Sequence, residues 1–203
     1  MFQEEFEAML KGARVKLSLL KTNIIGYFMA SMLAGMYVGF GILLIFTIGG
    51  LLAGLPYVKI VMGVSFGIAL SLVIIAGSEL FTGNNLVMSA GIFSKRVTWA
   101  EAIKLWIVCY IGNWVGSIFI AVLFVGGAYT DGATGEFITS TAAAKMSIPL
   151  IPLLIRGILC NALVCLATWC SFRCKSETAK LIMIFWCLFA FITTCTFPTS
   201  ALT

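Results

Sequence analysis

Polar positions are so sparse along this chain that the apolar runs between them set its organisation. Five runs reach membrane length: 23–55, 60–93, 102–127, 148–169 and 179–197. A helix needs about 20 apolar residues to cross the hydrocarbon core, so the pattern predicts five transmembrane helices. The second run is interrupted. Residues 60–76 and 86–93 are almost wholly apolar, yet between them stands Gly77-Ser78-Glu79-Leu80-Phe81-Thr82-Gly83-Asn84-Asn85. Hydrocarbon supplies no water to free backbone groups, so a broken helix at that depth persists only where protein buries it or where it lines a wet cavity. Two half-helices meeting at such a break commonly build a solute site near the bilayer midplane. The pattern points to a pore or a transporter more than to an anchor.

Other parts of the pattern fill in the organisation. Before the first span, Phe2, Phe6, Met9, Leu10, Val15, Leu17, Leu19 and Leu20 alternate with charges. Residues 1–21 therefore read as an amphipathic helix along the cytoplasmic interface, with a solvated leader as the alternative. Residues 22–203 read as one membrane bundle. The first span carries Gly26, Ala30, Ala34, Gly35, Gly39 and Gly41, small residues that let helices approach closely. The third repeats this with Gly112, Gly116 and Ser117, and sets Asn113 among them to bond across to a neighbour. The longest polar connection, 128–147, predicts a short helix from about Phe137 to Lys145. Pro149 and Pro152 then open the fourth span, a position where proline is tolerated.

Composition agrees. The chain has 203 residues, 61% hydrophobic and 10% charged, far more apolar than a soluble domain. No soluble domain fits in what remains, and the charged leader is not a signal peptide. The net charge of +5 matters through its placement. Lys11, Arg14, Lys16 and Lys21 precede span one; Lys95, Arg96 and Lys104 lie between or near spans two and three; Arg173, Lys175 and Lys180 lie between spans four and five. The positive-inside rule puts the N-terminus in the cytoplasm, loop 128–147 outside and, after five spans, the C-terminus outside. With no basic patch interleaved with exposed aromatics, nucleic-acid binding is not expected.

The chemistry of a catalyst is missing. There is no histidine, no phosphate-cradling glycine loop and no carboxylate pair deep in a span, so an enzyme is not expected. Nor is a cofactor or a metal site. The seven cysteines read as small apolar packing residues; Cys170 and Cys174 are one helical turn apart but lack an evident third ligand. The break offers what a channel needs. A half-helix N-terminus presents free N–H groups and a positive partial charge to an anion. Thr82 adds a hydroxyl, and Leu80 and Phe81 supply apolar constrictions. Glu79 is itself negative and reads as support for the loop, as do Gly77, Ser78, Gly83 and Asn84. In the fourth span Asn161 reads equally as support or as a solute-facing group. Arg156, expensive at membrane depth unless paired, reads as a structural partner, with Glu79 the preferred mate.

Two segments carry a resemblance. Ile74-Ile75-Ala76-Gly77-Ser78-Glu79-Leu80-Phe81-Thr82-Gly83 and Arg156-Gly157-Ile158-Leu159-Cys160-Asn161, followed by Val164-Cys165-Leu166-Ala167, resemble the two signatures of the formate/nitrite transporter family, which includes hydrosulfide channels. The resemblance implies an all-α, aquaporin-like inverted-repeat bundle, with a pore in each protomer of a homopentamer. It implies six spans, of which five are present here. In that scheme Leu80, Phe81 and Thr82 line the pore, Lys145 stands at the outer vestibule and Asn161 at the span-four site. The expected solute is a small monovalent anion (formate, nitrite or hydrosulfide) crossing the cell membrane with a proton. After Phe189-Ala190-Phe191-Ile192-Thr193-Thr194 the family continues with Gly-Phe-Glu-His, whereas this chain reads Cys195-Thr196-Phe197-Pro198 and ends at Thr203. The expectation is a C-terminally truncated or altered form, whose alternative function is a non-conducting membrane remnant.

Overall fold

The long apolar runs become long helices. The computed structural model describes residues 2–196, and the described residues form an all-helical bundle. Its elements are α1 (Gln3–Thr22), α2 (Ile24–Leu51), α3 (Val58–Ile75), α4 (Phe81–Phe93), α5 (Trp99–Gly126), α6 (Ala133–Met146), α7 (Leu150–Arg173) and α8 (Glu177–Ala190), closed by a π-helical turn, Phe191–Thr196. Five helices are long and apolar enough to cross a membrane: α2, α3, α5, α7 and α8 with its continuation to Thr194. The chain's ending from Phe197 to Thr203, and the side on which it ends, lie outside the described residues.

Small residues bring α2 and α5 together. Gly35 faces the backbone of Asn113, Gly112 faces Ser31, and Gly116 faces the backbone of Met32, so a Cβ at any of the three would overlap its neighbour. The Ser117 hydroxyl then donates to the Gly35 carbonyl at 3.1 Å. Close backbone approach of this kind replaces the hydrophobic drive that lipid cannot supply. α3 packs between α2 and α8, and α8 packs on α7.

The buried apolar residues fall into two clusters. One joins α2, α3, α6, α7 and α8 around Met62, Phe66, Leu70 and Ile184. The other joins α1, α2, α4 and α5 around Met9, Tyr27, Met88 and Leu105. The break lies at their junction: Leu80 packs against the first cluster and Phe81 against the second.

α1 forms as an amphipathic helix, but its apolar face is turned onto the protein. Met9, Leu10, Ala13, Leu17 and Leu20 are all buried, and α1 touches α2, α4, α5 and α7. Ion pairs spread along it help to fix the docking: Glu5 with Arg173, Glu7 with Arg96, Lys16 with Glu79 and Lys21 with Glu101. α6 begins at Ala133, four residues before the start expected from the pattern. Thr and Gly are weak helix formers, which hides this start in the sequence. Gly132 enters at φ +66, and Gly49 and Gly50 of α2 leave room for Phe137 and Thr134 to seat on them.

Candidate functional site

The break is built by a glycine, an extended leucine and side chains borrowed from neighbouring helices. α3 ends at Ile75, and Gly77 turns the chain at φ +75, a left-handed conformation that glycine takes at little cost. The Ser78 N–H returns to the Val73 carbonyl at 3.0 Å, and the Glu79 N–H donates to the Ala30 carbonyl at 3.2 Å. Leu80 is extended, and α4 starts at Phe81. Asn113 of α5 donates to the Glu79 carbonyl at 2.8 Å and to the Ser31 carbonyl at 2.7 Å, and accepts from the Phe81 N–H at 2.9 Å. Thr82 and Gly83 follow. Among the described residues neither of their N–H groups has a backbone acceptor, as expected of the first turn of a helix.

The Glu79 side chain points toward α1. Both of its oxygens accept from Lys16 Nζ at 2.7 Å, and one also accepts from Asn84 at 3.0 Å and from the Tyr27 hydroxyl at 3.3 Å. Asn84 is fully buried and reaches Tyr27 as well, at 3.1 Å. The carboxylate that polar patterning matched with Arg156 is therefore matched with Lys16. The physical reason is placement along α7. α7 meets α4 through Asn161, which accepts from Asn85 at 3.4 Å, and through Cys165, which donates to the Thr82 carbonyl at 3.7 Å; Arg156 stands five positions before Asn161, about 7 Å along the axis and away from that contact. Its Nη1 is buried with no hydrogen-bond partner among the described residues.

Two cavities flank the break. The first, about 390 Å³, lies beside α1 and is partly polar, with Lys16, Ser78, Glu79, Gly83, Asn84 and Thr168 on its wall. The second, about 270 Å³, lies on the far side and is almost wholly apolar, lined by Phe66, Leu70, Val164, Leu188 and Phe191, with Thr82, Cys160 and Asn161 as its polar groups. Among the described residues, Leu70 and Leu80 line both. Phe66 and Phe191 stack in the second cavity with ring centroids 5.8 Å apart. The two residues at the start of α4 are divided between the cavities: Thr82 borders the second and Gly83 the first.

The expected site residues are distributed accordingly. Leu80, Thr82 and Asn161 line the second cavity, and Gly77, Ser78, Glu79, Gly83 and Asn84 line the first. Phe81 turns to the outer flank, where its ring meets Tyr110 edge-on at 5.3 Å. It shares a third groove of about 240 Å³ with Asn113 and Trp114. Lys145 closes α6 and lines neither cavity; burial of its surroundings draws its ammonium below the ordinary lysine value, with Cys160 acting in the opposite sense. Three residues that the pattern did not single out, Phe66, Leu70 and Phe191, are as prominent on the wall as those it did. Their signal is absent because an apolar residue facing a dry cavity has the same composition as one facing lipid. Among the described residues no cluster of His, Cys, Asp or Glu is suited to hold a metal.

These features define a multi-pass helical membrane protein built around a broken helix between two cavities. A model of the family described as formate/nitrite transporter matches residues 3–197, and the chain belongs to that family. A Salmonella typhimurium protein named nitrite transporter NirC is 46% identical over 176 residues, which span 84% of this chain and 63% of the relative. A Haemophilus influenzae protein named formate channel FocA is 35% identical over 162 residues, 77% of this chain and 57% of the relative. The chain thus spans somewhat under two thirds of the length of these relatives. Among solved structures, one described as an FNT family ion channel superposes with TM-score 0.88 at 37% identity, covering 99% of this chain and 80% of that one. Another, described as a pentameric formate channel with formate bound, superposes with TM-score 0.75 at 27% identity, covering 87% and 71%.

Proposed function

We propose that the chain forms a path for small monovalent anions, namely formate, nitrite or hydrosulfide, across the cell membrane, with its N-terminus in the cytoplasm and in a homopentamer. One observation carries this reading: the broken second span separates two cavities at Leu70 and Leu80 and opens α4 with two amides that lack a backbone acceptor, on Thr82 beside one cavity and on Gly83 beside the other. Amides at a helix N-terminus attract negative charge, so a solute entering from either side meets an N–H donor before the apolar constriction. Asn161 and the Thr82 hydroxyl add polar contacts on the second side. Lys145 supplies long-range attraction at the outer mouth.

The constriction itself favours a neutral species. An ion moved into an apolar slit loses its hydration, a cost far above that of the protonated acid. Anions of weak acids meet this requirement, since a proton taken up at the slit removes the charge. Transport coupled to protons follows from this. The relatives' names, nitrite transporter and formate channel, support the solute class.

The test is direct. The purified chain, reconstituted in liposomes, should take up formate, nitrite or hydrosulfide faster than protein-free vesicles, and faster still with an inward proton gradient. Inserted chain that takes up none of the three would support the non-conducting alternative.

A further inference from the structure

We infer that Asn113 is a positioning residue that sets the aim of Leu80 and thereby the selectivity of the constriction; this rests on the transport reading above. The warrant is where its three hydrogen bonds land. Its amide donates to the carbonyl of Glu79 and accepts from the N–H of Phe81. These are the groups immediately before and after Leu80. The remaining donor goes to the Ser31 carbonyl of α2. One side chain therefore brackets one residue, and anchors the bracket to a second helix.

The bracketed residue is the one for which such control matters. Leu80 borders the first cavity, the second cavity and the outer groove. It is extended and stands at the N-cap of α4, where its carbonyl accepts from the Asn84 N–H at 2.9 Å, so the helix ties down its C-terminal side only through that one bond. Without Asn113 the Phe81 N–H would lose its acceptor and the Glu79 carbonyl would keep only the Cys109 thiol at 3.2 Å, which loosens the peptide units on both sides and the side chain between them. The base of the bracket is stiff. Gly35 packs on the backbone of Asn113 itself, with Gly112 and Gly116 seating the turns around it. An asparagine suits the task because a single amide presents an acceptor and two donors. Aspartate would put a carboxylate against two carbonyl oxygens, and leucine would fill the volume with no polar contact at all.

Asn113 also borders the outer groove, but it touches neither cavity, so its effect on a solute passes through Leu80. A role confined to helix packing would predict something different: Asn113 and Ser117 would be interchangeable, since both tie α5 to α2. Of the two, Asn113 is the one that bonds the break.

Hydrogen exchange by mass spectrometry on the reconstituted chain reads the bracket without requiring transport. In Asn113→Leu and Asn113→Ala, neither of which offers an acceptor to the Phe81 N–H, the amide of Phe81 should exchange about tenfold faster, as expected for a lost hydrogen bond of ordinary strength. In Ser117→Ala, which leaves the bracket intact, it should not change. Unchanged exchange at Phe81 in both Asn113 variants, with α5 itself still protected, would overturn the inference. The second readout is the ratio of formate to acetate uptake, expected to fall several-fold in the Asn113 variants and to hold in Ser117→Ala. Faster exchange with an unaltered ratio would overturn the selectivity role. A parent chain that carries no anion would count against the transport reading, and the exchange result would still decide the bracket.

Discussion

Lys145 stands at the end of α6, and burial of its surroundings lowers the pKa of its ammonium. The charge is present below that pKa and is lost as pH rises through it, which happens at a lower pH than for an ordinary lysine. If Lys145 draws anions to the mouth, uptake should decline across that range. Lys145→Arg, whose guanidinium stays charged, should remove this part of the decline. Lys145→Glu should depress uptake by about tenfold or more, since reversed charge at an entrance opposes steering. Initial uptake rates measured against external pH for the three proteins check both expectations, and equal rates would take Lys145 out of the path. The glutamate at the break shows a different use of charge. Glu79 lies in the first cavity yet is neutralised in place by Lys16 and held by Tyr27 and Asn84, so it shapes the loop without presenting a bare negative charge to the solute.

α1 illustrates what an element adds that its residues do not announce. Met9 is 2% exposed, and a lysine placed there would leave an uncompensated charge against α1's neighbours at a cost of about 3 kcal/mol or more. Met9→Lys should free α1 from the bundle, and trypsin should then cut within residues 2–22 well before it cuts the remainder. Equal cutting of the parent and the variant would show that α1 is not held by this face. The amphipathic period of α1 was legible in the sequence because charges interrupt the apolar positions at helical spacing. Its seat was not, because the same stripe suits a bilayer surface or a protein groove. The break was legible for a related reason: Gly77, Ser78, Glu79 and Asn84 are costly at membrane depth unless something shelters them. The partner of Glu79 was not legible, since Lys16 lies 63 positions earlier on a helix that resembles solvated leader. Arg156 looked closer only because both groups sit inside apolar runs. The walls of the second cavity were equally hidden, Phe66 and Leu70 being indistinguishable in sequence from residues that face lipid.

At the level of the whole molecule, the flanks are conspicuously apolar. On α5, Ile107, Tyr110, Trp114, Ile118 and Val122 are all more than 40% exposed, and on α7 Ile151, Leu154, Ile155 and Ile158 are more than 50% exposed. Patches of this extent lie against lipid or against another protomer. A homopentamer would cover part of them, as the solved relative described as a pentameric formate channel suggests. Chain purified in mild detergent should then show, by light scattering corrected for bound detergent, a protein mass about five times that of one 21.9 kDa protomer. A uniform monomer would exclude the pentamer, and Trp114→Glu on the exposed flank should shift a pentamer toward smaller species.

The contact between Lys16 and Glu79 ties the electrical sign of one vestibule to a helix outside the five membrane-length spans. While the N-terminal helix is seated, opposite charges cancel at that entrance. If the helix were lifted away, the acid would stay behind alone, and the same opening would turn from neutral to repellent for every negatively charged traveller.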